Sequence, residues 1–147
     1  MKHVWTIVCE RSIIDSQSNN ISLINALEQI QLMAGEEVQN LATTPGESPI
    51  RGIGVTFEVV TLWCRNDPNQ PESAPSQALL LSPTGDEMVK NKMQIDLTNH
   101  QRMRVKWGFG GIPYSGDGRY LFVVQQEIAD QWQTVAEIPL DINRVSI

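Results

Sequence analysis

The chain has 147 residues, with 17 acidic against 11 basic side chains, a net charge of −6, 41% hydrophobic content and 19% charged content. That length suits one domain, residues 1–147, which buries roughly 70% of the surface its unfolded chain exposes and needs no staples. The acidic balance argues against a sequence-independent nucleic-acid binder, which needs surplus Lys and Arg to displace counterions from phosphates.

The opening stretch, Met1 to Asp15, holds an early Lys2 and an apolar run. Cys9, Glu10 and Arg11 break that run before it reaches the length of a signal peptide, and no small-residue cleavage site follows. No stretch approaches the ~20 apolar residues that span a bilayer as a helix. The expectation is a soluble, cytoplasmic protein with no membrane partner. Cys9 and Cys64 are too few and too far apart to read as a disulfide framework. Both lie in apolar runs, so buried free thiols are expected, with a cross-strand disulfide as the alternative.

In chain order, His3 to Ile14 reads as a strand with Trp5, Ile7, Cys9 and Ile13 on one parity. Asp15 to Asn20 is dense in residues that bond their own backbone, which makes it a turn. Ile21 to Leu32 supports two readings. Ile21 and Leu23 alternate as in a strand, while Leu23, Leu27, Ile30 and Ala34 recur at helical spacing, with Asn20 as a cap and Gly35 as a stop. The short polar turn favours the strand. Met33 to Pro49 reads as a long loop with room for one helical turn near Glu36 to Leu41.

Ile53, Val55, Phe57 and Val59 then alternate cleanly and run into a continuous apolar stretch through Leu62, Trp63 and Cys64. Gly52 and Gly54 mark a bend at its start. Asp67 to Pro75, with three prolines, is expected to be irregular. Ala78 to Leu81 reads as a short buried strand, and Thr84 to Glu87 as a turn. Val89, Met93, Ile95 and Leu97 share a parity, as do Met103, Val105, Trp107 and Phe109. The chain closes on Asp117 to Asp141, where Tyr120, Phe122 and Val124 share a face and Asp130 centres a turn. The expected fold is all-β: a single antiparallel sandwich of about eight strands.

Three stretches carry a resemblance. They are Cys9-Glu10-Arg11 with Ile13-Ile14-Asp15 and Asn20 to Asn25, then Gly111-Ile112-Pro113-Tyr114 with Gly118-Arg119-Tyr120-Leu121-Phe122, and Val135 to Leu140. Together they resemble a family of small bacterial proteins of unknown function. The resemblance implies an immunoglobulin-like β-sandwich and supplies no activity. It leaves Met33 to Pro83 uncovered and favours strand over helix for Ile21 to Leu32.

Chemistry is thin in this sequence. Any histidine scheme rests on His3 or His100, and His100 sits in a polar turn with no nucleophile motif around it. Cys64 lies among apolar neighbours, the wrong setting for a reactive thiol. Zinc would want a short spacing of Cys and His that is not there. Calcium could gather Asp15, Asp67, Asp86 and Asp117 if their turns converged, although Asp is also an ordinary turn residue. Trp107 to Tyr114 is Gly-rich but leads into a strand rather than a helix, so it is no phosphate loop. No catalytic residue, metal or cofactor is assigned.

Charge placement is the most suggestive feature. If Met88 to Leu97 and Gln101 to Phe109 are adjacent strands, Lys90, Lys92, Arg102, Arg104 and Lys106 form one outward stripe. Such a stripe would draw an anionic ligand or an acidic partner; it would equally serve as a solvated face that discourages edge aggregation. The expected function is a non-enzymatic binding or assembly module that uses a sheet face or edge, with an unknown protein partner or self-association. The alternatives are a metal-dependent hydrolase or ligand-binding protein with Asp67, Asp86 and Asp117 in its loops, and a structural protein of a bacterial or phage particle.

Overall fold

Alternation of apolar and polar residues becomes strand along almost the whole chain. A computed structural model describes residues 1–33, 38–41 and 45–145. Among these residues there are twelve strands and no helix: β1 (Lys2–Ile14), β2 (Ile21–Ala26), β3 (Gln29–Leu32), β4 (Gln39–Leu41), β5 (Ile50–Ile53), β6 (Phe57–Cys64), β7 (Ser73–Leu81), β8 (Glu87–Asp96), β9 (Arg102–Phe109), β10 (Ile112–Pro113), β11 (Gly118–Ile128) and β12 (Gln131–Arg144). They form a four-stranded sheet in the order β2-β1-β6-β9, a five-stranded sheet in the order β3-β12-β11-β7-β8, and a small third sheet, β10-β5-β4. The all-β class holds. The described residues carry twelve strands in three sheets where about eight strands were expected, and the β3–β12 pair is parallel.

The two larger sheets share one core. Val8, Phe57 and Val59 of the first meet Leu80, Tyr120, Phe122, Leu140 and Ile142 of the second. Phe57 stacks on Phe109 at 4.8 Å between centroids and meets Phe122 edge-on at 5.6 Å. A second cluster joins Trp63 and Val105 to Ile95, Leu97 and Val124. Each such side chain contributes about 1.5–3 kcal/mol through removal from water. Trp63 is fully buried, and its indole N–H donates to Thr61 at 2.9 Å.

Ile21 to Leu32 is two strands rather than a helix. Asn25 sits at φ 52, a left-handed conformation that Asn tolerates, and it breaks the run near the end of β2. β2 pairs with β1, while β3 leaves that sheet and runs beside β12. The helical spacing of Leu23, Leu27 and Ile30 thus arose from two short strands out of phase. The helical turn expected near Glu36 to Leu41 is strand at β4, with Val38 irregular before it, while Glu36 and Glu37, with Ala34 and Gly35, fall outside the described residues. The irregular stretch expected through Pro75 ends earlier, because β7 starts at Ser73. Pro75 pairs only toward β8, and β11 joins from Ser76 onward, so its missing N–H faces no ladder there. The terminal hairpin is as expected, with Ala129 and Asp130 forming its two-residue turn.

β1 is longer than its partner β6. Their pairing ends at Cys9 opposite Glu58, and β1 continues with β2 alone. At that exit Glu10 and Asn25 drop out of the ladder register, and the Asn25 amide donates to the Glu10 carboxylate at 2.6 Å. The free ribbon turns back over the outer face of its own sheet. Ser12 reaches Glu58 at 2.5 Å, and the Arg104 guanidinium donates to Asn19 at 2.6 Å. This explains why Cys9 and Val60 are buried on the same parity as Glu58 and Lys106. Of the parity set that looked core-facing in β1, Trp5, Ile7 and Cys9 lie on the ribbon side of the sheet and not between the sheets, and Ile13 is exposed in the ribbon itself.

Candidate functional site

The five basic residues do not form one stripe. β8 pairs with β7 and β9 pairs with β6, so Lys90 and Lys92 belong to one sheet and Arg102, Arg104 and Lys106 to the other. The connection between them crosses over, and Arg65 fastens it: its guanidinium donates to the carbonyls of Leu97 and Thr98, and to that of Pro68, each at 2.8 Å. Leu97 is fully buried at the crossing point. Lys90 pairs with Glu87 at 3.1 Å, an exposed ion pair that contributes little. The Lys92 ammonium lies 5.8 Å over the Trp132 ring.

Arg102 and Arg104 do share a setting. They line a cavity of about 570 Å³ beneath the folded-back ribbon, walled by Trp5 and Leu62 of the sheet and by Ser18, Asn19, Asn20 and Ile21 of the ribbon. Strand geometry explains the grouping. Trp5, Leu62 and Arg104 are cross-strand neighbours in one row, and Arg102 follows on the same face about 7 Å along β9. No Asp or Glu is among the described residues of the wall. Arg102 is exposed and has no side-chain partner among the described residues, while Arg104 is half-buried and tied to Asn19.

Lys106, one pair further along, is spoken for. Its ammonium sits 3.3 Å from Glu58, which also accepts from Ser12. Burial by itself would raise the Glu58 carboxyl, but the hydrogen bonds from Ser12 and Lys106 outweigh it and the net direction is down. Glu58 is therefore a neutralising anchor for the ribbon. Burial pushes the Cys9 thiol beside it up, and Glu58 adds to the push. Such a thiol is inert rather than nucleophilic. Cys9 sits opposite Glu58 and Cys64 opposite Lys2, which sets the two about 20 Å apart along the sheet, far beyond disulfide reach.

The acidic turns do not converge. Asp67 and Asp86 stand at opposite ends of β7, and Asp15 caps the ribbon turn through the backbone N–H groups of Gln17 and Ser18. Asp67 accepts from Asn69, Asp86 from Thr84, and Asp117 from Tyr114 and the Arg144 backbone. Asp15, Asp67 and Asp86 serve their own loops and Asp117 ties its turn to the end of β12, and among the described residues no three His, Cys, Asp or Glu side chains gather as metal ligands. His100 is exposed in its turn. His3 packs edge-on against Trp63 at 5.1 Å and shares a 2.6 Å hydrogen bond with Thr6.

Sequence reasoning found Arg102 and Arg104 by parity and missed Trp5, Asn19, Asn20 and Leu62. Asn19 carries no local signal, since it meets Arg104 across 85 positions. Against family models, curated proteins and solved structures, the chain matches none.

Proposed function

We propose that the chain is a non-enzymatic binding module, and that its recognition site is the arginine-bearing cavity between the β1–β2 ribbon and the outer face of the four-stranded sheet. The observation that carries this reading is a pair of guanidinium groups with no opposing carboxylate among the described residues of the wall, beside a Trp, on a chain of net charge −6. Local positive potential on an acidic protein selects an anionic ligand or an acidic partner surface. The scatter of Asp67, Asp86 and Asp117 weighs against the metal-dependent hydrolase.

The scaffold in this reading is an immunoglobulin-like sandwich with a small added sheet, in keeping with the bacterial family of unknown function that the chain's two ends resemble. The supporting feature is Tyr120. Its hydroxyl accepts from the Ser115 N–H at 2.8 Å and donates to the Gly116 carbonyl at 2.9 Å. A buried Tyr at the start of a strand, bonded to backbone a few residues upstream, is the tyrosine corner of such sandwiches.

The test is a thermal-shift titration with inorganic phosphate and with a poly-glutamate peptide at matched ionic strength. Arg102→Glu with Arg104→Glu should abolish any stabilisation, and Lys90→Glu with Lys92→Glu should leave it intact. Stabilisation that survives the arginine reversal would remove the cavity from the reading.

A further inference from the structure

We propose that the cavity takes a small phosphate monoester carried on a flat ring, with the phosphate held by Arg102 and Arg104 and the ring laid against Trp5. This rests on the reading of the cavity as the binding site and adds the chemistry of its occupant.

The anion follows from the arginines. Among the described residues only Nη2 of Arg104 has an acceptor, Asn19 Oδ1, and the Arg102 guanidinium has none. Two planar forks rooted about 7 Å apart on one strand face are long enough to reach a single group with several peripheral oxygens. One fork is enough to fill a carboxylate, whereas a phosphate monoester has oxygens for both. Its charge at neutral pH is near −2, which balances the pair without a further cation.

The ring follows from the rest of the wall. Trp5, Leu62 and Ile21 supply apolar surface that a bare anion would leave wet. At about 570 Å³ the space exceeds what inorganic phosphate fills and lies within the ordinary range of small-molecule sites. An aromatic face recognises rings by stacking whatever their substituents. Asn19 and Asn20 stand on the ribbon side, where amide groups can meet polar atoms on a ring edge. The ribbon forms one side of the cavity and the sheet face the other, which sets a space of small-molecule size between them.

The experiment is isothermal titration calorimetry on the full chain with three probes at matched ionic strength: phenyl phosphate, inorganic phosphate and phenol. Phenyl phosphate should bind at least tenfold tighter than inorganic phosphate, and phenol should give no measurable heat. Arg102→Gln should weaken both phosphates at least tenfold, and Arg102 is exposed and unpaired, so that variant keeps its fold. Trp5→Leu should erase the preference for phenyl phosphate and leave inorganic phosphate unchanged. The preference itself needs no variant, so a misfolded Trp5→Leu does not shield the idea. Equal affinities for the two phosphates would sink the ring while leaving the cationic site standing. Phosphate affinity that persists in the Arg102→Gln, Arg104→Gln double variant, or no phosphate affinity at all, would sink both.

Discussion

Arg104 donates from Nη2 to Oδ1 of Asn19 at 2.6 Å and so fastens the tip of the β1–β2 ribbon to the outer face of the sheet from which the ribbon grew. Asn19 stands at φ 55, so its backbone already favours a residue that tolerates the left-handed region. Asn19→Gly keeps that backbone and deletes the hydrogen bond. The loss is about 1 kcal/mol or less at this exposed position, and it should fall on the ribbon rather than on the core. Amide exchange across Arg11 to Ile24 should speed up while the melting temperature moves little. Unchanged exchange in that segment would mean the ribbon is held by Ser12 and Glu58 alone.

Tyr120 gives a larger effect. Its side chain is fully buried, and Tyr120→Phe leaves the Ser115 N–H and the Gly116 carbonyl without their partner. An unmade hydrogen bond to a partly buried backbone group costs about 1–3 kcal/mol. For a chain of this size that lowers the melting temperature by roughly 3–10 °C. A shift under one degree would show that water replaces the hydroxyl freely.

Strand faces were legible in the sequence; partners were not. Met103, Val105, Trp107 and Phe109 do point inward and Arg102, Arg104 and Lys106 outward, because side-chain parity is a local property of a strand. β8 and β9 lie in different sheets, and the crossing between them is fastened by Arg65, a residue more than thirty positions before the carbonyls of Leu97 and Thr98 that it holds. Nothing in the local pattern of β8 or β9 carries that information. The same limit hid the cavity: Trp5, Leu62 and Arg104 are neighbours only through strand pairing, and Asn19 only through the fold-back of the ribbon.

The acid limb of stability has a defined sign. The Tyr114 hydroxyl, then the Arg144 backbone N–H, hold the Asp117 carboxyl below its ordinary 3.8. The Thr98 hydroxyl and N–H do the same for Asp96, the Ser18 and Gln17 N–H groups for Asp15, and Arg119 for Asp141. A carboxylate whose folded pKa is depressed contributes stability that is fully present above its unfolded value and is lost as pH falls through the folded one. Melting temperature should therefore be insensitive to these four groups above about pH 5 and should fall below about pH 4. Asp117→Asn should melt below the parent at pH 6, with the gap closing toward pH 2. A gap independent of pH would show that Asp117 acts through shape and not charge.

The terminal hairpin can be improved. Ala129 and Asp130 both sit at positive φ, 51 and 60, the geometry of a two-residue hairpin turn that Asn-Gly prefers. An Ala in the left-handed region costs roughly 1 kcal/mol. Ala129→Asn with Asp130→Gly should raise the melting temperature by about 2–4 °C. A decrease would indicate that the turn contacts something beyond its own strands.

The third sheet depends on glycines that the sequence offered only as a bend. Leu41 of β4 lies over Gly52 and Gly111, and its side chain occupies the space in which a Cβ on either residue would stand. A Cβ on Gly52 would also come within 2.5 Å of the Ile112 carbonyl oxygen, which is backbone and has little room to yield. Gly52 pairs with both Gln39 and Pro113, so it is the residue through which β4, β5 and β10 meet. Gly52→Ala should therefore separate β10 from β5 and destabilise the chain by about 1–3 kcal/mol through overpacking. Leu41→Ala in the same chain removes the side-chain clash and leaves the carbonyl clash, so it should restore only part of the loss. Full rescue by Leu41→Ala would place the whole conflict on the Leu41 side chain and would show that the β5–β10 backbones have room to part at no cost.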